Sequence, residues 1–171
     1  MPQLKPLGDE QAQGKAKALF EALKQKIKMV PNIFRLMGHA PAVLEHTLGL
    51  DEAIQTGLDP KLRELAYLKA SQVLHCGYCH HYHQIFGKRA GLSEAQLREI
   101  EGFETSSAYS DTEKMVLRFA DQWTTKGKVD SKVMTYLTEH LSPQEMMTLA
   151  ATVGLANWTS RFNVTFGVEL P

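Results

Sequence analysis

The sequence predicts an all-α protein, a single-domain bundle of about seven to nine helices. Three observations predict it. Apolar residues recur at helical spacing along almost the whole chain. Helix-start signals punctuate it: Asp59-Pro60, and the capping boxes Ser93-x-x-Gln96, Ser110-x-x-Glu113 and Ser142-Pro143-x-Glu145. No segment alternates as a strand should. With 171 residues, the chain is long enough to bury a sizeable core.

The elements follow in order. Residues 9–28 carry Ala12, Ala16, Leu19, Phe20, Leu23 and Ile27 on one helical face, with Asp9 as the cap and Pro31 as the stop. Asn32–Gly38 reads as a short turn, and Pro41 opens a helix that ends at Gly57. Asp59-Pro60 opens the next, with Leu62, Leu65, Ala66, Lys69 and Val73. A helix through the two cysteines runs to about Ala90, and Gly91 ends it. A short helix follows Ser93, and Gly102–Tyr109 is the one stretch of loop composition. Ser110 opens a helix with Met115, Val116, Phe119, Ala120 and Trp123; Asp130 opens a short one; Ser142 opens the last long one, to about Gly167. Residues 1–29 read as an N-terminal helical extension and 30–171 as the core domain. Leu58-x-Pro60 and Leu141-x-Pro143 form a faint internal echo at an offset of 81 residues, which chance similarity between two amphipathic helices also explains.

Composition narrows the function classes. Hydrophobic content of 43% and charge of 22% are ordinary for a globular protein. A net charge of zero argues against nucleic-acid or anionic-membrane partners, which call for a basic excess. No apolar run approaches the ~20 residues of a membrane span, and the first residues lack a signal-peptide core. A cytoplasmic location is expected, where a lone Cys-x2-Cys is more often catalytic or metal-binding than a structural staple.

The chemistry concentrates in Glu64–His83, which reads Glu64-x11-Cys76-x2-Cys79-x3-His83 and holds both cysteines of the chain. Helical positions i and i+3 lie within disulfide reach, so the pair can cycle between dithiol and disulfide. His83, four residues after Cys79, shares its helical face and is a candidate proton acceptor. On one straight helix Glu64 and His83 would stand roughly 28 Å apart. If the glutamate serves the histidine, the chain must break and fold back, and Gly77 is the expected break. A helix starting at the cysteines would also lower a thiol pKa.

Three readings of this stretch stand open on the residues alone. The cysteines could be buried small hydrophobes. Cys76, Cys79 and His83 could ligate a metal, with His80, Glu64 or a subunit partner as a fourth ligand, although no second ligand pair completes the set elsewhere. The pair could carry thiol redox chemistry, in a host other than the strand-built thioredoxin fold. Among other residues, His39 and His46 read as hydrogen-bonded structural histidines, and Tyr78 and Tyr82 as packing residues beside the thiols. Phe34, Met37, Trp123 and Trp158 read as core or interface, and Arg161 near Asn157 as an ion-pair or interface residue.

The four-residue spacing resembles the motif of the AhpD-like alkylhydroperoxidases, within the carboxymuconolactone decarboxylase superfamily. The similarity extends to Pro31-Asn32-Ile33-Phe34-Arg35, His39-Ala40-Pro41, Leu58-Asp59-Pro60-x-x-Arg63-Glu64-Leu65, Ala90-Gly91-Leu92-Ser93 and a polar last helix with Asn157, Arg161 and Asn163. It covers roughly residues 30–168. It implies an all-helical homo-oligomer, a trimer or hexamer, that reduces organic hydroperoxides or hydrogen peroxide without a bound cofactor or metal. Cys79 would be the peroxidatic thiol, Cys76 the resolving thiol, His83 the proton acceptor and Glu64 the far end of the relay. A dithiol such as a dihydrolipoyl protein would restore the pair. A runner-up within the same fold is a disulfide reductant for a partner peroxiredoxin, and a different class is a metal-binding helical oligomer. Better-known members often have a second histidine before the second cysteine; here that position is Tyr78.

Overall fold

A computed structural model of the chain describes residues 3–170, so residues 1, 2 and 171 of the two expected segments lie outside the described residues. Those residues form nine α-helices and no strand: α1 (Gly14–Ile27), α2 (Asn32–Met37), α3 (Pro41–Ala53), α4 (Pro60–Val73), α5 (Gly77–Arg89), α6 (Glu94–Arg98), α7 (Asp111–Lys126), α8 (Ser131–His140) and α9 (Pro143–Phe166). The fold is the all-helical bundle that the sequence predicts.

Helix α4 is its axis. The eight consecutive residues Glu64–Ser71 are all buried, as expected of a helix wrapped by protein on every side. It packs chiefly on α7, α5 and α9. Around it lie three apolar clusters. One joins α1, α2, α3 and α9 to the cysteine region through Ala16, Phe20, Met37, Leu44, Tyr67 and Leu155. A second joins α7, α8 and α9 through Val116, Phe119, Leu137, Leu149 and Val153. A third seats α6 and the 102–109 loop through Leu68, Leu97, Phe103 and Leu117.

The start signals act as the sequence predicts. Asp59 accepts hydrogen bonds from the amides of Lys61 and Leu62, and Pro60 occupies the first turn of α4. Full capping boxes open α6, α7 and α9 at Ser93, Ser110 and Ser142. Asp130 opens α8 without a side-chain cap.

Four local expectations are corrected. Asp9 does not cap α1, which begins five residues later after Gln13; its carboxylate pairs with Lys24 at 2.9 Å and Arg35 at 3.0 Å. A tertiary ion pair has taken the side chain that local pattern assigned to the helix. Helix α1 ends at Ile27 with Lys28 in the left-handed conformation (φ 66°), ahead of Pro31. Asn32–Met37 is a helix rather than a turn, because Ile33, Leu36 and Met37 lie on a buried face. Helix α3 stops at Ala53, four residues before Gly57.

Candidate active site at the start of helix α5

The reversal between α4 and α5 builds the site. Its break is not Gly77 but His75, at φ 52°. The Cys76 amide donates to the Ser71 carbonyl at 2.9 Å and the His75 amide to the Gln72 carbonyl at 3.0 Å. These are the two bonds of a Schellman motif, with histidine in the left-handed position that glycine usually fills. Gly77 is the first residue of α5, and a Cβ built there meets nothing within 4 Å. Glycine has the lower intrinsic cost of breaking a helix, but the closing hydrogen bonds select the position two residues earlier.

Cys76 is the N-cap of α5, and its Sγ accepts from the Cys79 amide at 3.2 Å. The two cysteines lie at disulfide distance, with Cα atoms 5.4 Å apart, and form a disulfide. Both are buried, 2% and 4% exposed.

Folding α5 back brings His83 to Glu64. His83 Nδ1 lies 2.8 Å from Glu64 Oε2, with the carboxylate buried. Arg63 Nε and Nη2 each donate to the other oxygen at 3.3 Å. A carboxylate facing Nδ1 selects the tautomer that donates there, leaving the basic lone pair on Nε2. Tyr67 stacks on the imidazole with centroids 3.5 Å apart, and Phe86 meets it edge-on at 5.4 Å. The Tyr67 hydroxyl is bonded to Thr159 on α9, and burial pushes its phenol upward. The ring of His83 is therefore fixed on three sides. Among the described residues nothing hydrogen-bonds its Nε2, and no hydrogen bond joins it to Cys79.

The polar neighbours of the sulfurs come from α9 instead. Ser160 Oγ donates to Cys79 Sγ at 3.3 Å, and Asn163 Nδ2 donates to the same sulfur at 3.2 Å. In the sequence Asn163 stands out only as a polar residue of the last helix, and Ser160 not at all. Their link to a motif more than 80 residues away is tertiary. Asp51 on α3 is a second residue the sequence does not mark. Burial raises its carboxyl above the usual range while the nearby His83 and Lys26 charges pull it down.

The remaining candidates are placed as follows. His39 bonds the Lys5 carbonyl at 2.9 Å. Tyr78 is buried, and burial raises its phenol; its hydroxyl finds no full hydrogen bond, with the amides of Ile33 and Asn32 and the Tyr82 hydroxyl as neighbours. Met37 is core, Phe34 and Tyr82 pack against it, and Trp158 is exposed. Arg161 is exposed, and Asn157 bonds Thr124 at 2.9 Å. Among the described residues, no group of three or more His, Cys, Asp or Glu side chains is arranged to hold a metal ion. Two open surface depressions, of about 420 and 400 Å³, are lined by neither cysteine.

His80, next to Cys79, is half-buried. Desolvation first, then the His83 charge, holds its imidazole below the ordinary value. The unfolded chain therefore binds a proton more readily than the folded one. This contribution to stability is complete above about pH 6.5, the unfolded value. It is lost as the pH falls toward the lower folded value. Denaturant titrations at pH 7.5 and 5.5 test this: His80→Gln is expected to lose less stability on acidification than the wild type, and equal losses would refute it.

The site is thus a Cys-x2-Cys pair opening one helix of an all-helical domain, beside a buried carboxylate paired with an imidazole. A model of the carboxymuconolactone decarboxylase family matches residues 41–122, just under half of the chain. The uncharacterized protein YnjA of Escherichia coli K12 is 30% identical over 118 residues. That match takes in 68% of this chain and 64% of YnjA, just under two thirds of its length. Among solved structures, the debrominase Bmp8 in complex with 2,3,4-tribromopyrrole superposes with a TM-score of 0.84 at 20% identity, covering 100% of this chain and 92% of that one. An alkylhydroperoxidase AhpD core protein of Ralstonia eutropha JMP134, described as peroxidase-related, gives 0.79 at 18% identity over 96% and 87% of the two chains. At these identities the structural likeness is one of fold.

Proposed function

We propose that the protein is a thiol-dependent hydroperoxide reductase. The observation that carries this reading is the 2.8 Å contact between Glu64 and His83 at the helix that bears the Cys76–Cys79 pair. A buried carboxylate on Nδ1 fixes the direction of Nε2 and stabilises the imidazolium formed when Nε2 takes a proton, as thiol oxidation requires. In the reduced protein, the Cys79 thiolate attacks the terminal oxygen of the peroxide. The O–O bond breaks, Cys79 becomes a sulfenic acid, and the departing alkoxide takes a proton to leave as alcohol. The Cys76 thiol then displaces hydroxide from that sulfur, forming the disulfide and water. An external dithiol returns two electrons and two protons to the pair and is itself oxidised to a disulfide.

Burial favours this reading over a disulfide reductant for a partner peroxiredoxin. Exchange with a folded partner needs an exposed sulfur, and both sulfurs lie inside the protein. A small peroxide, or a dithiol on a flexible arm such as a dihydrolipoyl group, is the better match. Exposed Val43, Leu50 and Trp158 beside the α3–α9 depression support self-association, as a trimer or hexamer. No helix among the described residues is long and apolar enough to cross a membrane, in keeping with a cytoplasmic enzyme.

The test is thiol counting against cumene hydroperoxide. Pre-reduced wild type is expected to lose two thiols per peroxide consumed. Cys76→Ser is expected to stop at a sulfenic acid that dimedone captures, and Cys79→Ser to lose the reaction. Unchanged peroxide consumption by Cys79→Ser would refute the thiol mechanism. Thiols that ignore peroxide yet exchange with dihydrolipoamide would identify a disulfide carrier instead.

A further inference from the structure

Position in α5 sets the two cysteines in an unexpected order. Cys76 is the N-cap, and its sulfur already faces a free amide of the first turn at 3.2 Å. The helix dipole and unpaired amides favour an anion there. On this ground alone Cys76, and not Cys79, would be the more acidic thiol and the nucleophile. The surroundings on α9 run the other way. Cys79 Sγ takes two side-chain donors, Ser160 Oγ at 3.3 Å and Asn163 Nδ2 at 3.2 Å, whereas Cys76 Sγ lies 3.9 Å from the same Nδ2. Ser160 and Asn163 are themselves buried, 0% and 3% exposed, so water does not compete for these bonds.

A second observation concerns the other end of the amide. Asn163 Oδ1 is buried with no hydrogen-bond partner among the described residues while the pair is a disulfide. A buried acceptor without a donor carries a desolvation cost. A disulfide has no proton to offer it; a dithiol does. Reduction of the pair by two equivalents of a monothiol gives Cys76–SH, Cys79–S⁻, one released proton and the oxidised thiol. On the inference drawn below, the Cys76 proton is that missing donor. The titratable groups near the pair are Tyr78, His80, Tyr82 and His83 of α5, Glu64 and Tyr67 of α4 and Asp51 of α3, and among the described residues none hydrogen-bonds either sulfur through its side chain. Arg161 of α9 is exposed, and Arg35 of α2 is held by Asp9 and the Leu7 carbonyl.

We infer that Ser160 and Asn163 select the nucleophile of the pair: their donors hold Cys79 as the thiolate, and the free oxygen of Asn163 keeps Cys76 as the protonated thiol. They touch a reacting atom and are catalytic residues in that sense. The inference rests on the dithiol reading of the site and does not require that the oxidant be a peroxide.

The experiment is alkylation mapping of the reduced full-length protein with limiting iodoacetamide across pH 5–9, with the labelled cysteine identified by peptide mass. Wild type is expected to label at Cys79 first. Asn163→Leu keeps the size of the side chain and removes both polar ends. It is expected to raise the apparent pKa of Cys79 and cut the Cys79:Cys76 labelling ratio by about tenfold or more, the scale of one hydrogen bond to a charged group. Ser160→Ala removes a single hydroxyl and keeps the inference testable if the leucine variant does not fold; it is expected to move both readouts the same way. Ser160→Thr retains the hydroxyl and is expected to restore the wild-type ratio. A purely structural role would lower the melting temperature without altering which sulfur reacts. Wild type that labels first at Cys76, or a ratio unchanged in both Asn163→Leu and Ser160→Ala, would overturn the inference. The readout uses no peroxide. Failure to reduce peroxide with an intact Cys79 preference would count against the enzymatic reading alone.

Discussion

His83→Ala is expected to slow oxidation of the reduced Cys76–Cys79 pair by cumene hydroperoxide by about 10²–10⁴-fold, the usual span for loss of a positioned general base. The imidazole is held by Glu64 on Nδ1 at 2.8 Å, by Tyr67 on one face and by Phe86 at its edge. Only Nε2 is left to do chemistry. It makes no direct bond to Cys79 in the oxidised protein, so its partner during turnover is the peroxide or a water beside it. The prediction is therefore specific about pH. The deficit of the alanine variant should be largest near neutrality and shrink in alkaline buffer, where hydroxide can replace Nε2 as the base. Stopped-flow traces from pH 6 to 9.5 measure this. A rate within threefold of wild type at pH 7 would remove His83 from the mechanism.

The second large effect is expected at Glu64. Its carboxylate is the shared acceptor of Arg63 and His83, and the side chains of all three are largely shielded from water, at 5%, 11% and 16% exposure. Glu64→Ala would leave the Arg63 guanidinium with the Gln55 carbonyl as its remaining bond, at 3.1 Å. Breaking a buried pair by removing one partner is strongly destabilising, and about 3 kcal/mol is expected in a denaturant titration. Glu64→Gln keeps the shape and loses the charge, so it should cost less stability and nearly as much rate. Because Glu64 acts through His83, the two substitutions should not add. The double variant Glu64→Gln, His83→Ala is expected to oxidise no more slowly than His83→Ala alone. Multiplied effects would mean that the carboxylate acts by a separate route.

Much of this architecture is legible in the sequence, because its signals are local. Asp59-Pro60 and the boxes at Ser93, Ser110 and Ser142 sit next to the helices they open, and the caps form even where distant groups share the side chain, as Gln96 and Lys61 do at Glu113. The meeting of Glu64 and His83 is legible only as a condition: if the glutamate serves the histidine, the chain must turn between them, and the contact itself is supplied by the fold. What is hidden is whatever depends on a partner far along the chain. Asp9 looks like a cap until Arg35 and Lys24 claim it. His75 looks less suited to a left-handed turn than Gly77, yet the hydrogen bonds that finish α4 fall on it. Ser160 carries no local mark and Asn163 only that of a polar residue on the last helix, since neither is tied to the cysteines until α9 is laid across them.

The smallness of the ring closed by Cys76 and Cys79 has a consequence for the molecule as a whole. The two cysteines are only three positions apart along the chain. A cross-link restrains an unfolded polypeptide in proportion to the logarithm of the loop it closes, and one this short removes only about 2 kcal/mol of chain freedom on the entropic account. The nine helices owe their assembly to α4 and its apolar clusters, with the sulfur bridge as a minor contributor. Opening and closing the bridge therefore leaves the scaffold standing. On the proposed function, each oxidation cycle is expected to leave the helices in place, and equal far-ultraviolet circular dichroism of the reduced and oxidised protein would show it.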